Sequence, residues 1–256
     1  MKAPENYTEI NARTIDRWAE EGIVWSVPLT HEAYRQATRG EWEVYLTPCR
    51  PVPRDWFPPL SGAQVLGLAS GGGQQMPVFA SQGAEVTVFD YSDRQLESER
   101  MVAAREGYDI RIVKGDMTRP LPFRDAEFDM IFHPVSNCYI EEVYPVWREC
   151  FRILKPGGLL LAGMDNGLNF LFNDFEALVV ENKLPFNPLK NPEQYELLMK
   201  DDDAIQFSHT MEEQVGGQLM AGFRLTHLLE DTDYPDERGR LHEYAPGYVL
   251  TRAVRP

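Results

Sequence analysis

Three consecutive glycines, Gly71, Gly72 and Gly73, follow the apolar run VLGLA and lead into Gln74, Gln75 and a helix-like segment. Glycines between a buried strand and a helix leave the main chain bare, and the first N–H groups of the helix point at whatever lies against it. Such a junction is a cradle for a nucleotide or another anion-bearing ligand. Asp90 ends the next apolar run, AEVTVFD, 19 residues after Gly71, where an acidic side chain accepts hydrogen bonds from ribose hydroxyls. Asp116 follows a third such run, IRIVKGD. A fourth run, FDMIFHP, brings His133, a candidate general base, and Asn137 and Tyr139 follow it as side chains suited to orienting a substrate.

The glycines narrow the ligand. No Lys-Ser/Thr pair follows them, which excludes a P-loop. Counting a dinucleotide fingerprint from Gly71 and Gly73 puts Met76 where a third small residue is needed, which weakens a nicotinamide-dependent oxidoreductase reading. Metal chemistry has no sequence support: Cys49, Cys138 and Cys150 are far apart, and His209 and His242 lack ligand spacing.

The elements that must position these residues alternate. Strands are expected over 63–69, 84–90, 110–116, 128–134 and 159–165, with helices between them. Ser92 and Gln95 form a capping box opening one helix, and Gly107 closes it. KPGG stops the helix that starts near Pro145. This rhythm predicts a doubly wound α/β fold with a mostly parallel sheet. Thr210 and Glu213 form a second capping box, and the helix they open ends at Gly222. Two final strands, FRLTHLLED and GYVLTRAV, lack room for a crossover helix between them and are expected to be antiparallel, completing seven strands.

Residues 1–60 differ in character and hold four of the five tryptophans. They read as two helices, ended by Gly22 and Gly40, and a connector with five prolines in TPCRPVPRDWFPP. The expected organisation is an N-terminal helical cap with its connector over 1–60 and a main domain over 61–256, carrying an irregular insertion at 166–209. Trp18 and Tyr34 are the cap residues expected to face the substrate, beside His133 and Asn137.

The chain has 256 residues, 43% hydrophobic and 25% charged, with a formal net charge of −15 and an acidic run at Asp201-Asp202-Asp203. That balance argues against a nucleic-acid partner. No apolar run reaches membrane-spanning length, and MKAPENYTEI lacks the apolar core of a secretion signal. With the sparse cysteines, a cytoplasmic location is expected.

Taken in order, VLGLASGGG, VTVFDYS, VKGDMTRPLPFRDAEFDMIF and FRILKPGGLLLAG resemble class I S-adenosylmethionine-dependent methyltransferases, of the small-molecule branch related to quinone-biosynthesis methyltransferases. The resemblance covers 63–165, and the closing antiparallel pair of that family suits 223–254. It implies a seven-stranded Rossmann-like sheet, S-adenosylmethionine as cofactor and methyl transfer to a small-molecule acceptor. It places Ala69, Ser70, Gly71 and Gly73 against the methionine part of the cofactor, Asp90 on the ribose and Tyr91 beside the adenine. Asp116 and Met117 would contact the adenine, and His133, Pro134 and Val135 would lie beside the reactive methyl. The chain departs from the family at Gly67, usually acidic, and at Ala69, usually glycine. Main-chain carbonyls near Ala69, or the side chains of Gln74 and Gln75, would then hold the cofactor's amino group. HPVSNCY is not the motif of nucleic-acid amino methyltransferases. A second reading stays open at this point: a cofactor-binding regulatory or scaffold protein with the same fold and no transfer activity.

Overall fold

The computed structural model describes residues 6–200, 203–234 and 239–256; Asp201 and Asp202 of the acidic run and the first five residues of the N-terminal segment lie outside them. The strands are β1 Gln64–Leu68, β2 Glu85–Asp90, β3 Ile110–Lys114, β4 Phe128–His133, β5 Leu154–Asp165, β6 Arg224–Asp231 and β7 Tyr248–Val254. They form one sheet in the order β3-β2-β1-β4-β5-β7-β6. The first five are parallel, and β7 runs antiparallel to both neighbours. The architecture is the doubly wound, mostly parallel one that the alternating pattern implies. The sheet order reverses between β1 and β4, so the strand ends diverge there and open a crevice at their C-terminal edge.

Side-chain alternation divides the core in two. Leu66, Leu68, Ile131 and Leu160 pack with Val146, Trp147, Cys150 and Ile153 of the helix Tyr144–Ile153. Val65, Val88, Met130, Phe132 and Leu161 face the other way, toward Met76 and Phe79 of Gln75–Ser81 and Leu96 of Asp93–Glu106. Near-continuous apolar strands of this kind need cover on both faces.

The helices, in chain order, are α1 Tyr7–Glu21, α2 His31–Thr38, α3 Gln75–Ser81, α4 Asp93–Glu106, α5 Tyr144–Ile153, α6 Pro192–Lys200 and α7 Gly217–Ala221. Gly22 and Gly107 close α1 and α4 in the left-handed conformation, where glycine has no Cβ penalty. At Ser92 the cap forms as expected, its hydroxyl accepting from the Gln95 N–H at 3.1 Å. The Gln95 side chain does not reach back; its amide donates to Ser26 Oγ at 3.0 Å.

Two stretches differ from the sequence expectation. Residues 44–52 are not a spacer. Val44, Leu46, Val52 and Trp56 join the second core, and Leu46 lies so close to β5 that a Cβ on Gly163 would stand 2.1 Å from its carbonyl oxygen. Asp231 at the end of β6 gathers Thr47 Oγ1 and the Cys49 and Arg50 N–H groups, each at 2.8 Å. The helix expected over 210–222 begins with its capping box, Thr210 N donating to Glu213 Oε2 at 2.8 Å. It then makes one π turn, Glu212–Gly216, before α7. Trp147 explains part of this: its indole donates to the Glu213 carbonyl at 3.0 Å, and its ring fills the space against Gly217. Among the described residues no helix is long and apolar enough to cross a membrane.

Candidate active site

The C-terminal ends of β1 to β5 open into a cavity of about 1240 Å³, roofed by α1 and residues 23–30. Its floor at one end is the glycine loop. Ala69, with φ of 47°, turns the chain out of β1 in the left-handed region, a conformation that disfavours a Cβ and that concentrates at functional sites. The next residues expose Ser70 and Gly71 to the cavity. Gly71 has no room for a side chain, since a Cβ would sit 2.7 Å from Gln95 Cβ and 2.9 Å from Asp90 Oδ2.

Asp90 braces this loop. Its Oδ2 accepts from the Gly71 N–H at 2.9 Å and its Oδ1 from the Ser92 N–H at 3.0 Å. Burial pushes its pKa up, main-chain donors pull against that, and the Asp16 charge adds to the rise. A carboxylate oxygen accepts more than one hydrogen bond, so Asp90 keeps acceptor capacity for hydroxyls placed in the cavity that it lines. The departure at Gly67 goes with a close contact to Met76. A Cβ there would lie 2.9 Å from both Sδ and Cε of Met76, whose side chain is fully buried. Glycine at 67 and methionine at 76 thus pack against each other, and an acid at 67 would require the end of the Met76 side chain to move.

α1 is fastened over the rim at three points. Thr8 Oγ1 donates to Asp116 Oδ2 at 3.1 Å. Asn11 Nδ2 donates to the carbonyls of Tyr139, at 3.1 Å, and Ile205, at 3.0 Å. Asp16 Oδ1 accepts from Ser92 Oγ at 2.5 Å and from the Arg94 N–H at 3.0 Å, placing an anion at the start of α4, where the helix dipole favours it. A little further on, Gln74 Nε2 donates to the Val24 and Val27 carbonyls at 3.2 and 2.8 Å. Ser70 Oγ donates to Gln75 Oε1 at 3.2 Å.

Most of the residues singled out from the sequence line this cavity: Ala69, Ser70, Gly71, Gln74, Gln75, Asp90, Tyr91, Asp116, Met117, Pro134, Val135, Tyr139 and Trp18. Four expectations need correction. Gly73 faces away, its N–H donating to Glu99 Oε1 at 2.8 Å. Tyr34 stacks on Tyr108 with ring centroids 5.9 Å apart, outside the lining. His133 is 0% exposed, with Nδ1 against the Leu68 carbonyl and Nε2 against Asn137 Oδ1, both at 2.9 Å. Burial pushes its pKa down, opposed by those two bonds. Its ring packs edge-on against Trp147 at 5.8 Å, on the α5 face of the sheet. The ring is not among the side chains that line the cavity. Asn137 is equally buried and donates to Gln214 Oε1 at 2.7 Å, so it also turns from the cavity.

Other lining residues carried no sequence signal of their own. Thr8 and Asn11 come from α1, Thr47 opens the proline-rich stretch, and Leu46 immediately precedes it. At the far end stand Asp165, Asn169, Asp233 and Tyr248, with Tyr248 Oη donating to Asp233 Oδ1 at 2.9 Å. Phe170, Phe172, Phe186 and Leu198 add apolar surface to the lining, among further polar groups from Asn173, Asn182 and Gln206. No basic side chain lines the cavity among the described residues, and no group of three or more His, Cys, Asp or Glu among them is arranged to hold a metal ion.

Known proteins resemble this chain in sequence and in fold. A family model described as a methyltransferase domain matches residues 66–162, which contain the glycine loop, Asp90 and Asp116. An uncharacterized methyltransferase of Bacillus subtilis (strain 168), YbaJ, is 40% identical over 252 residues, covering 96% of this chain and 97% of the relative. A demethylmenaquinone methyltransferase of Clavibacter sepedonicus is 33% identical over 103 residues, 40% of this chain and 41% of the relative. Among solved structures, an S-adenosylmethionine-dependent methyltransferase from Mesorhizobium loti superposes with a TM-score of 0.59 at 20% identity, covering 79% of this chain and 95% of that one.

Proposed function

The chain belongs to the S-adenosylmethionine-dependent methyltransferase family, and from that premise we propose that it transfers a methyl group to a small, largely apolar acceptor by in-line displacement. The observation that carries this is a continuous cavity, about 1240 Å³, running from Asp90 and Asp116 at one end to Phe170, Phe186 and Leu198 at the other. The cofactor supplies a methyl group already made electrophilic by its sulfonium. What remains for the protein is to orient the acceptor and exclude water.

In this reading Asp90 accepts from the ribose hydroxyls, and Asp116, Met117 and Tyr91 border the adenine. Main-chain groups at Ala69 and Ser70, with Gln74 and Gln75, hold the amino acid part of the cofactor. Pro134 and Val135 wall the point of transfer. Trp18 and Tyr139, whose ring centroids lie 6.4 Å apart, hold the acceptor against it. His133 serves as a positioning residue that fixes the Leu68 carbonyl at the mouth of the loop. An acceptor that attacks without giving a proton to a histidine suits this arrangement: a carbon nucleophile, a thiolate or a free amine.

The net charge of −15 and the absence of basic side chains among the described lining residues favour a neutral or cationic small molecule over a polynucleotide. The relative named for demethylmenaquinone supports an apolar acceptor. Incubation with methyl-labelled S-adenosylmethionine and fractionated metabolite and lipid extracts tests the reading. Label in an organic-extractable product, with S-adenosylhomocysteine formed in step, is expected. Tight cofactor binding with no product from any fraction would instead identify a non-catalytic binding protein.

A further inference from the structure

We propose that Glu99 is a positioning residue of the cofactor loop, its buried carboxyl setting Gly73 and, through Gly73, the covering segment at Leu29. The proposal rests on the cofactor reading above. Glu99 is 0% exposed, on the face of α4 that carries Leu96 and Val102. Its Oε1 accepts from the Gly73 N–H at 2.8 Å, and its Oε2 is buried without a partner.

Gly73 rests flush on α4. Its φ is 71°, and a Cβ would meet Val102 Cγ2 at 2.8 Å and the Ser98 carbonyl oxygen at 3.0 Å. The loop therefore touches the helix by main chain alone, with Glu99 as its side-chain anchor at that point. The Gly73 carbonyl accepts in turn from the Leu29 N–H at 2.8 Å, and Leu29 lines the cavity. A parallel link runs one turn earlier: the Gly72 N–H donates to the Gln95 carbonyl at 3.0 Å, while the Gln95 amide holds Ser26. One helix thus fixes the loop beneath the cofactor and the segment above it.

The charge state follows from the surroundings. No ion pair among the described residues includes Glu99. Burial pushes its pKa up to about 8, the Gly73 N–H opposes this, and the Asp90 charge on β2 adds to it. The Tyr108 hydroxyl, before β3, is also buried without a partner, and Glu99 contributes to the upward push on its pKa. Near neutral pH the carboxyl therefore carries its proton. Ionising it would put a second anion beside Asp90 under the loop.

Glutamine copies the neutral carboxyl in shape and hydrogen bonding, so the Glu99→Gln and Glu99→Leu variants of the full chain separate the anchor from mere packing. S-Adenosylhomocysteine, which lacks the sulfonium charge, is titrated calorimetrically between about pH 6.5 and 9. Glu99→Gln should bind within about threefold of the parent at neutral pH and lose the parent's weakening above about pH 8, while Glu99→Leu should bind roughly tenfold more weakly or worse. Faster hydrogen exchange at Leu29 should accompany Glu99→Leu. Normal binding in Glu99→Leu, equal weakening in both variants, or identical pH profiles for the parent and Glu99→Gln would overturn the proposal. If Glu99→Leu does not fold, the pH comparison of the parent with Glu99→Gln decides alone. A parent that binds no S-adenosylhomocysteine removes the cofactor reading itself, whereas binding that ignores Glu99 removes only this proposal.

Discussion

Thr8 Oγ1 donates to Asp116 Oδ2 at 3.1 Å, joining residues 108 apart in the chain. The other Asp116 oxygen accepts from the Thr118 N–H at 2.8 Å. The first turn of α1 therefore closes on the carboxylate assigned to the adenine side of the site. In the proposed reading, cover and cofactor seat share one charged group, so loosening either should be felt by the other.

Thr8→Val keeps the shape and removes the donor. A hydrogen bond to a charged group contributes about 1.5–3 kcal/mol, so α1 should open roughly tenfold or more often. Hydrogen exchange across Tyr7–Glu21 checks this, and unchanged protection in the variant would show that Asp116 does not hold the helix.

Asp90→Ala should weaken binding of S-adenosylmethionine by about 1.5–3 kcal/mol, the loss expected on removing hydrogen bonds to a charged acceptor. Asp90→Asn should fall between the two, since its amide oxygen still accepts from Gly71 or Ser92. Calorimetry with each variant checks the order, and unchanged affinity in Asp90→Ala would remove Asp90 from the cofactor site.

For His133 the expected loss is in folding. His133→Ala removes the one N–H that the neutral ring donates, to the Leu68 carbonyl or to Asn137 Oδ1, and leaves that acceptor buried without a partner, a cost of about 1–3 kcal/mol. The sign of the pH effect follows from burial, which holds the folded-state pKa below the ordinary 6.5. Above that value both states are neutral and the stabilisation is complete; as pH falls below it, the unfolded chain takes up a proton that the folded one refuses, and stability is lost. Denaturant melts between about pH 7 and 5 should show a shallower decline in His133→Ala than in the parent. A shared decline would mean that His133 is not the group responsible.

Trp18 packs edge-on against Trp25 at 6.3 Å and tilts over Tyr139 at 6.4 Å. Trp18→Ala should leave cofactor affinity within about threefold while lowering transfer by roughly tenfold or more, because it opens the acceptor side to water without touching the loop. Equal losses in cofactor binding and transfer would place Trp18 on the cofactor instead.

Truncation separates cover from core. A chain starting at Ser61 loses Val44, Leu46, Val52, Trp56 and Leu60 from the second core. At about 1.5–3 kcal/mol each, their burial rivals the roughly 5–15 kcal/mol that keeps a domain folded. That chain should not fold. A chain starting at Ile23 removes α1 alone and should melt cooperatively, with its rim uncovered. A cooperative melt for the shorter chain would show that residues 37–60 are dispensable to the core.

Much of the site was legible because local pattern and strand direction fix it. In a parallel sheet every strand ends at the same edge, so reading residues 63–69, 84–90 and 110–116 as strands places the glycine loop, Asp90 and Asp116 together before any contact is known. Glu99 also left a trace. It stands three residues from both Leu96 and Val102, a spacing that puts all three on one face of the helix.

Tertiary structure decided what pattern leaves open. Alternation puts His133 on the same face as Ile131 but does not say which face meets which helix; the packing of Trp147 beneath β4 settled that, and took the histidine out of the cavity. Thr8, Asn11 and Asp16 are ordinary polar residues on an amphipathic helix, and they became rim contacts only when α1 docked across chain separations of 76 to 194 residues. The prolines of residues 47–59 excluded a helix but could not show that Leu46 would lie against Gly163. Contacts between distant segments depend on complementary shape across the fold, and no local spacing encodes that shape.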